Sequence, residues 1–142
     1  IAGGQYLDLN FEKKRKRFTD ILDMQRKKTG KLFNFCCYAA GVIAKKNNKE
    51  LKSLGKLGED IGLLFQFADD FIDIKGSKKL AGKSIKKDQK KGKSTLVALI
   101  GYEKAYSHAN KLKKNILSKL SKHGKKADNL INTVEFILER NF

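Results

Sequence analysis

The chain has 142 residues, 40% of them hydrophobic, no proline and a formal net charge of +17. A domain of this length can bury roughly two-thirds of the surface that its unfolded chain exposes, so one packed core is possible. The longest apolar stretch, Leu32 to Ala44, is too short to cross a bilayer, and the sequence shows no secretory or lipidation motif. We therefore predict a cytoplasmic protein with no integral membrane segment.

The excess of positive charge comes mainly from lysine. Only four of the 32 basic residues are arginines, namely Arg15, Arg17, Arg26 and Arg140. Recognition of phosphates and base edges in nucleic acids favours the bidentate guanidinium group over the lysine ammonium group. The lysines are also spread along the chain, so we predict no nucleic-acid partner.

Apolar residues recur with the period of an α-helix along most of the chain. The pattern predicts helices over Phe18 to Lys45, Leu51 to Ile74, Thr95 to Lys122 and Ala127 to Arg140. The signals at their ends are Thr19 and Ser94 as N-caps, Asn47-Asn48 as a break and Gly124 as a stop. No stretch alternates with the period of a β-strand. The predicted fold class is all-α.

Lys28-Thr29-Gly30 lies in the middle of the first predicted helix. Glycine inside a helix is unfavourable by roughly 1 kcal/mol relative to alanine. We therefore expect a kink at this segment or a close approach of another helix.

The most informative segment is Gln66-Phe67-Ala68-Asp69-Asp70-Phe71-Ile72-Asp73, which sets three carboxylates and an amide in an apolar helix. At roughly 100° per residue, Gln66, Asp69, Asp70 and Asp73 fall on one narrow stripe. Carboxylates in such a setting raise one another's pKa, so the stripe requires a positive partner. Carboxylate oxygens suit Mg²⁺, which proteins hold through one or two carboxylates together with water and phosphate. The segment predicts a magnesium site, with a solvated acidic face as the alternative.

A lysine-rich segment follows directly. Lys75 to Lys93 contains nine lysines and three glycines and has no apolar period, which is typical of a loop. Ammonium groups beside a metal-binding stripe would supply positive charge to a polyphosphate. A lysine-rich surface loop is also an ordinary feature, so the segment gains meaning only from the neighbouring acids.

At these residues the chain resembles the trans-isoprenyl diphosphate synthases, the farnesyl and geranylgeranyl diphosphate synthase family. Leu64 to Asp73 resembles the second aspartate-rich motif of that family. Further similar segments follow in the family's order: Gly3-Gly4-Gln5-Tyr6-Leu7-Asp8-Leu9, Lys28-Thr29-Gly30, Gly82-Lys83, Asp88 with Gly92-Lys93-Ser94-Thr95, and Glu139-Arg140-Asn141. The resemblance covers the chain from end to end and implies an isoprenoid-synthase-type helical bundle.

The resemblance implies a prenyltransferase that joins an allylic diphosphate to isopentenyl diphosphate with the help of Mg²⁺. It assigns the metal to Asp69, with Asp70 and Asp73 as further or water-mediated ligands. It assigns diphosphate binding to Lys28, Lys83 and Lys93, and it places Thr29 and Gln66 along the cavity, where their oxygens stabilise a cation. Lys28, Thr29, Gln66 and Asp69 would therefore be the catalytic residues, with Gln66 also contacting substrate. A homodimer and a short-chain product, farnesyl before geranylgeranyl, are implied as well.

The sequence also departs from the family. Nothing corresponds to the first aspartate-rich motif or to the Gly-Gly-Lys-x-x-Arg-Pro segment before it, and the chain opens on Ile1 with its only methionine at Met24. We therefore expect residues 1–142 to be the C-terminal part of one polyprenyl synthase domain. The fragment alone is expected to be inactive.

Two other functions remain open. A terpene cyclase of the same fold is one, although such enzymes usually carry an Asn/Asp-x-x-Ser/Thr-x-x-x-Glu metal motif where this chain has Asp69-Asp70-Phe71-Ile72-Asp73. A non-catalytic helical subunit or basic binding module is the other. The intact acids and the Lys28-Thr29-Gly30 segment argue against lost chemistry.

Overall fold

The computed structural model describes residues 1–11, 17–80 and 95–140. Within these ranges all regular structure is helical, as the sequence predicts. The α-helices are α1 (Ala2–Phe11), α2 (Phe18–Gln25), α3 (Lys31–Ile43), α4 (Asn48–Leu80), α5 (Leu96–Ile100), α6 (Tyr102–Leu120) and α7 (Asp128–Glu139). A π-helical turn, Arg26–Gly30, joins α2 to α3, and a 3₁₀ segment, Ser121–Ala127, joins α6 to α7.

The central helix is α4, against which the other long helices pack. It forms an antiparallel pair with α3, because Gly62 approaches Gly30, Gly58 approaches Phe33 and Gly41 approaches Leu54. A Cβ atom added at Gly58 would lie 2.3 Å from the carbonyl oxygen of Phe33, so only glycine permits this spacing. The largest fully buried side chains of the core are Ile21, Met24, Leu64, Phe67, Leu96, Ile116 and Val134.

The break at Asn47-Asn48 is confirmed. Helix α4 begins at Asn48, and the Asn47 Oδ1 atom accepts a hydrogen bond of 3.0 Å from the backbone N–H of Glu50. The Glu50 carboxylate in turn accepts one of 3.1 Å from the backbone N–H of Asn47. This reciprocal capping satisfies two backbone donors that the helix itself leaves unpaired.

Helix α4 continues to Leu80, so the prediction that the helix ends at Ile74 and a loop starts at Lys75 is wrong for residues 75–80. Lysine has a high helix propensity and no proline interrupts the segment, so the helix can extend beyond its apolar part. The rest of the predicted loop, together with the Ser94 cap, lies outside the described residues.

The predicted helix from Thr95 to Lys122 is divided at Gly101. Gly101 has φ +82°, a value that favours glycine, and it separates α5 from α6. Thr95 is the N-cap of α5, since its Oγ1 atom accepts a 3.0 Å hydrogen bond from the backbone N–H of Ala98. Gly124, with φ +57°, marks the predicted stop within the 3₁₀ segment.

The first predicted helix begins at Phe18, as the sequence predicts, but its N-cap lies two residues before Thr19. Thr19 does not cap it, because α2 already begins at Phe18 and its N-cap is Arg17. The Asp20 carboxylate accepts a 3.2 Å hydrogen bond from the backbone N–H of Arg17. The carboxylate that the sequence places in the first turn therefore satisfies the exposed donor of the cap.

Helix α3 presents an apolar side to solvent. Its exposed large side chains are Leu32, Phe35, Tyr38, Val42 and Ile43. The described helices include none that is both long enough and apolar enough to cross a membrane.

Candidate active site

Helix α1 lies against the π turn at one end of the site. A Cβ atom added at Gly4 would lie 2.2 Å from the backbone nitrogen of Lys28, so glycine is required for this contact. The close approach brings the Asp8 carboxylate to the Lys28 ammonium group, with Oδ2 and Nζ 2.5 Å apart. Both side chains are about one-third exposed, at 31% and 35%. The Lys28 charge is thus balanced by an acid on a different helix.

The π turn is the kink that Lys28-Thr29-Gly30 predicts. It includes an extra residue per turn relative to an α-helix, and such turns are frequent at functional sites. The turn directs the Thr29 hydroxyl at α4, where it donates a 3.1 Å hydrogen bond to the Gln66 Oε1 atom. Close packing of Gly62 on Gly30 makes this approach possible, because a Cβ atom at Gly62 would lie 2.9 Å from the Gly30 Cα atom.

The Asp69 carboxylate lies one turn beyond Gln66 on α4 and forms an ion pair with Arg140, at the C-terminal end of α7. The Arg140 guanidinium group also lies over the ring of Phe65, 4.2 Å from the ring centroid. Its side chain is only 12% exposed, whereas that of Asp69 is 42% exposed. The positive partner that the acid stripe requires is therefore supplied by the chain itself.

Burial nevertheless raises the pKa of Asp69 above its ordinary value. The Arg140 charge and hydrogen bond lower it, while the nearby charge of Asp73 raises it again. One arginine therefore only partly offsets the cost of holding two carboxylates together at this end of α4.

Asp70 departs from the acid stripe and is directed at α5. Its side chain is buried, and its Oδ2 atom accepts a 3.2 Å hydrogen bond from the backbone N–H of Leu96, in the first turn of α5. Burial raises the pKa of Asp70 to about 6, although the hydrogen bonds from Leu96 and Gln66 lower it. The roughly 100° between Asp69 and Asp70 turns the second carboxylate toward the neighbouring helix.

The carboxylates fit a Mg²⁺ ion that takes only some of its ligands from the protein. Among the described residues, no three acidic, histidine or cysteine side chains are grouped closely enough to hold a metal by themselves. Asp69 and Asp73 are one helical turn apart on α4, and their charges repel. A hard cation between them would relieve that repulsion, and Mg²⁺ usually takes only one or two protein carboxylates.

The predicted site residues divide into two groups. Lys28, Thr29, Gln66, Asp69 and Asp70 all make the contacts given above, and Asp73 is exposed at the rim of the acidic end. Lys83 and Lys93 lie outside the described residues. The structure therefore brings the π turn and the acidic end of α4 together, and it leaves the two loop lysines as predictions.

Sequence reasoning missed the partners of these groups. Neither Asp8 nor Arg140 was predicted to form an ion pair, and both pairs join residues far apart in the sequence, by 20 and 71 positions. One signal for Arg140 was available, since it is one of only four arginines in a chain of 28 lysines. A guanidinium group is the better partner for a partly buried carboxylate.

A comparison with protein families matches residues 1–134 to the polyprenyl synthetase family. A curated relative, the farnesyl diphosphate synthase of Micrococcus luteus, is 32% identical over 138 residues. That match covers 97% of this chain and 47% of the relative. The chain thus spans about half the length of the curated relatives it matches.

Solved structures give the same result. An FPP/GFPP synthase from Zymomonas mobilis superposes with a TM-score of 0.76 at 35% identity, over 96% of this chain and 45% of the other. A geranyltransferase from Helicobacter pylori, solved in complex with magnesium and isoprenyl diphosphate, superposes with a TM-score of 0.75 at 28% identity, over 98% of this chain and 46% of the other. The fold is that of the isoprenoid synthases.

Proposed function

Because the chain belongs to the polyprenyl synthetase family, we propose that it forms part of an Mg²⁺-dependent prenyltransferase that joins an allylic diphosphate to isopentenyl diphosphate. The observation that carries the proposal is the hydrogen bond between Thr29 and Gln66. It joins the π turn with Lys28 to the helix with the acids. The groups needed for a diphosphate and for a cation therefore lie within one region.

The proposed division of labour follows from charge. Asp69 would bind Mg²⁺ directly, with Asp70 and Asp73 as further or water-mediated ligands, and the ion would stabilise the negative charge that develops on the departing diphosphate. Lys28 would bind the diphosphate after leaving Asp8, and Lys83 and Lys93 would add positive charge from the segment after α4. The Thr29 and Gln66 oxygens carry dipoles that can stabilise an allylic cation without trapping it as an anion would.

Two further properties are proposed, the chain length of the product and the oligomeric state. The farnesyl diphosphate synthase relative supports a short-chain product, with farnesyl diphosphate as the first candidate and geranylgeranyl diphosphate as the second. A homodimer is also proposed. The exposed apolar side chains of α1, including Tyr6 at 69% exposure and Leu9 at 59%, support a contact between copies.

The test is prenyl transfer by the longest form of the protein that can be expressed. Labelled isopentenyl diphosphate is supplied with dimethylallyl or geranyl diphosphate, with and without Mg²⁺, and the products are separated by chain length. We expect Mg²⁺-dependent extension. Asp128→Asn, which removes an exposed carboxylate in the first turn of α7, serves as a control variant and should keep this activity.

The same assay separates the alternatives. A terpene cyclase would consume the allylic diphosphate without isopentenyl diphosphate and release a hydrocarbon. A non-catalytic subunit would consume neither substrate. Either result would contradict the proposal.

A further inference from the structure

The position of Arg140 suggests a role that the proposed chemistry does not use. Arg140 is the residue that follows α7, and its backbone leaves the helix there with ψ 120°. The turn directs its side chain back to α4, where it pairs with Asp69 and covers Phe65. A cation therefore already contacts the carboxylate at which Mg²⁺ is proposed to bind.

Arg140 and a divalent cation compete for the Asp69 carboxylate. A guanidinium group and a divalent cation repel each other, and Arg140 already occupies the Oδ1 atom of Asp69. The divalent ion carries twice the charge and can also engage Asp73, whose charge already repels that of Asp69. Binding of the ion should therefore weaken or break the pair with Arg140.

A cavity next to Arg140 can receive the released guanidinium group. Arg140 borders a cavity of about 210 Å³ between α4, α6 and α7, whose lining includes Tyr102, Glu103 and Tyr106. A carboxylate and two aromatic faces are suitable partners for a guanidinium group. The arginine can thus change partners without entering solvent completely.

We propose that Arg140 is an internal counter-ion of Asp69, which neutralises the carboxylate in the metal-free protein and is displaced when Mg²⁺ binds. This inference rests on the proposed metal role of Asp69. It makes Arg140 a positioning residue that weakens Mg²⁺ binding and keeps the acidic end of α4 stable without the ion. The movement also couples the end of α7 to the occupancy of the site.

The first test measures Mg²⁺ affinity by calorimetry, with inorganic pyrophosphate present, for the wild-type protein and for Arg140→Gln. Removal of the competing cation should tighten Mg²⁺ binding by roughly three- to tenfold, the range expected for a partly exposed ion pair. Arg140→Lys should remain near wild type. The control is Lys113→Gln, which removes a 3.0 Å ion pair with Glu139, the residue adjacent to Arg140.

The second test is made on the wild-type protein, and a variant is used only to assign one signal. The arginine Nε–H signals are recorded by ¹⁵N NMR during an Mg²⁺ titration, with the Arg140 signal assigned from its loss in Arg140→Lys. We expect this signal to shift and its solvent exchange to quicken, while the Arg26 signal stays in place.

Each outcome decides a different claim. If Mg²⁺ binds with equal affinity to wild type and Arg140→Gln and the Arg140 signal does not move, the counter-ion role is wrong and the metal role of Asp69 stands. Weaker binding by Arg140→Gln would instead make Arg140 a support for the metal, which also contradicts the inference. If neither protein binds Mg²⁺ with pyrophosphate, the proposed metal site is wrong and the counter-ion role fails with it.

Discussion

Helix α4 carries fully or partly buried carboxylates at two places, and the structure neutralises their charges differently. Asp60, near its middle, has a side chain 6% exposed and lies within 3.1 Å of Arg26, 3.2 Å of Lys119 and 3.5 Å of Lys56. Burial raises the pKa of Asp60, but hydrogen bonds from Arg26 and Lys119 outweigh it, so the pKa lies below its ordinary value.

The acidic end of the same helix shows the opposite balance. Arg140 pairs with Asp69, and Asp70 receives a backbone N–H from Leu96, yet the pKa of each carboxyl lies above its ordinary value. A carboxylate whose charge is fully balanced by neighbouring cations stabilises the fold, and a bound cation would add little further stabilisation. Carboxylates left short of positive charge gain from a bound cation, and such sites are where function concentrates.

The largest expected effect is on catalysis at the acidic end. In the longest expressible form of the protein, Asp69→Ala should lower kcat by more than about 100-fold, or roughly 3 kcal/mol, because a metal contact that stabilises the leaving group is lost. Steady-state kinetics with isopentenyl and geranyl diphosphates measure this, and far-UV circular dichroism checks that the helices remain. Activity within a few fold of wild type would remove Asp69 from the site.

The next effect is on stability, and it depends on pH. The pKa of Asp70 is raised to about 6 in the folded protein, against about 3.9 in an unfolded chain. Well below pH 4 the carboxyl is protonated in both states. Between about pH 4 and pH 6 the unfolded chain ionises while the folded protein keeps the proton, so stability falls over this range, and the loss is complete above about pH 6.

Asp70→Asn should therefore match wild type near pH 4 and exceed it at pH 8 by about 3 kcal/mol in the free energy of unfolding, without metal. Urea unfolding in EDTA at the two pH values measures this difference. Asp23→Asn, which removes an exposed carboxylate on α2, serves as the control. If the difference in the free energy of unfolding between Asp70→Asn and wild type did not grow from pH 4 to pH 8, the pKa of Asp70 would not be raised on folding.

Asp60 should respond in the opposite direction. Asp60→Asn leaves Arg26 and Lys119 without their acid and should lower the free energy of unfolding by about 2 kcal/mol at pH 7. The pKa of Asp60 is lowered on folding, so this contribution is present above the unfolded value and is lost as the pH falls through the folded one. Urea unfolding of both proteins at pH 7 and pH 3 tests it, and an equal deficit at both pH values would contradict the ion-pair account.

A smaller effect is expected between the two parts of the site. Thr29→Val keeps the shape of the side chain but removes the hydrogen bond to Gln66, so kcat should fall by roughly three- to tenfold. The control is Thr133→Val, whose hydroxyl donates a 2.8 Å hydrogen bond to a backbone carbonyl on α7. Equal kinetic constants for the two variants would mean that the Thr29 hydroxyl has a structural role and no part in catalysis.

The acidic helix could be predicted because its apolar period and its polar residues lie within one short segment. The break at Gly101 could not, because an internal glycine lowers helix stability only modestly and is compatible with either outcome. Its φ of +82° is a property of the folded chain. The same holds for the extension of α4 to Leu80, which no apolar period marks.

The counter-charges of the site were beyond prediction for a different reason. Asp8 meets Lys28 only because Gly4 allows α1 to touch the π turn. Asp69 meets Arg140 only because α7 ends beside α4. Residue types indicate which groups need a partner, but the packing of the helices decides which partner they receive.

The central claim is that the acidic end of α4 binds a divalent cation with a diphosphate and that Asp60 does not. The most direct measurement is the melting temperature of wild type, Asp69→Asn and Asp60→Asn, each with and without Mg²⁺ and inorganic pyrophosphate. A ligand that binds only the folded state raises the melting temperature. We expect the ligand-induced rise in wild type and in Asp60→Asn, from a lower starting point in the latter, and its loss in Asp69→Asn. An equal rise in all three proteins, or a rise lost only in Asp60→Asn, would contradict the account.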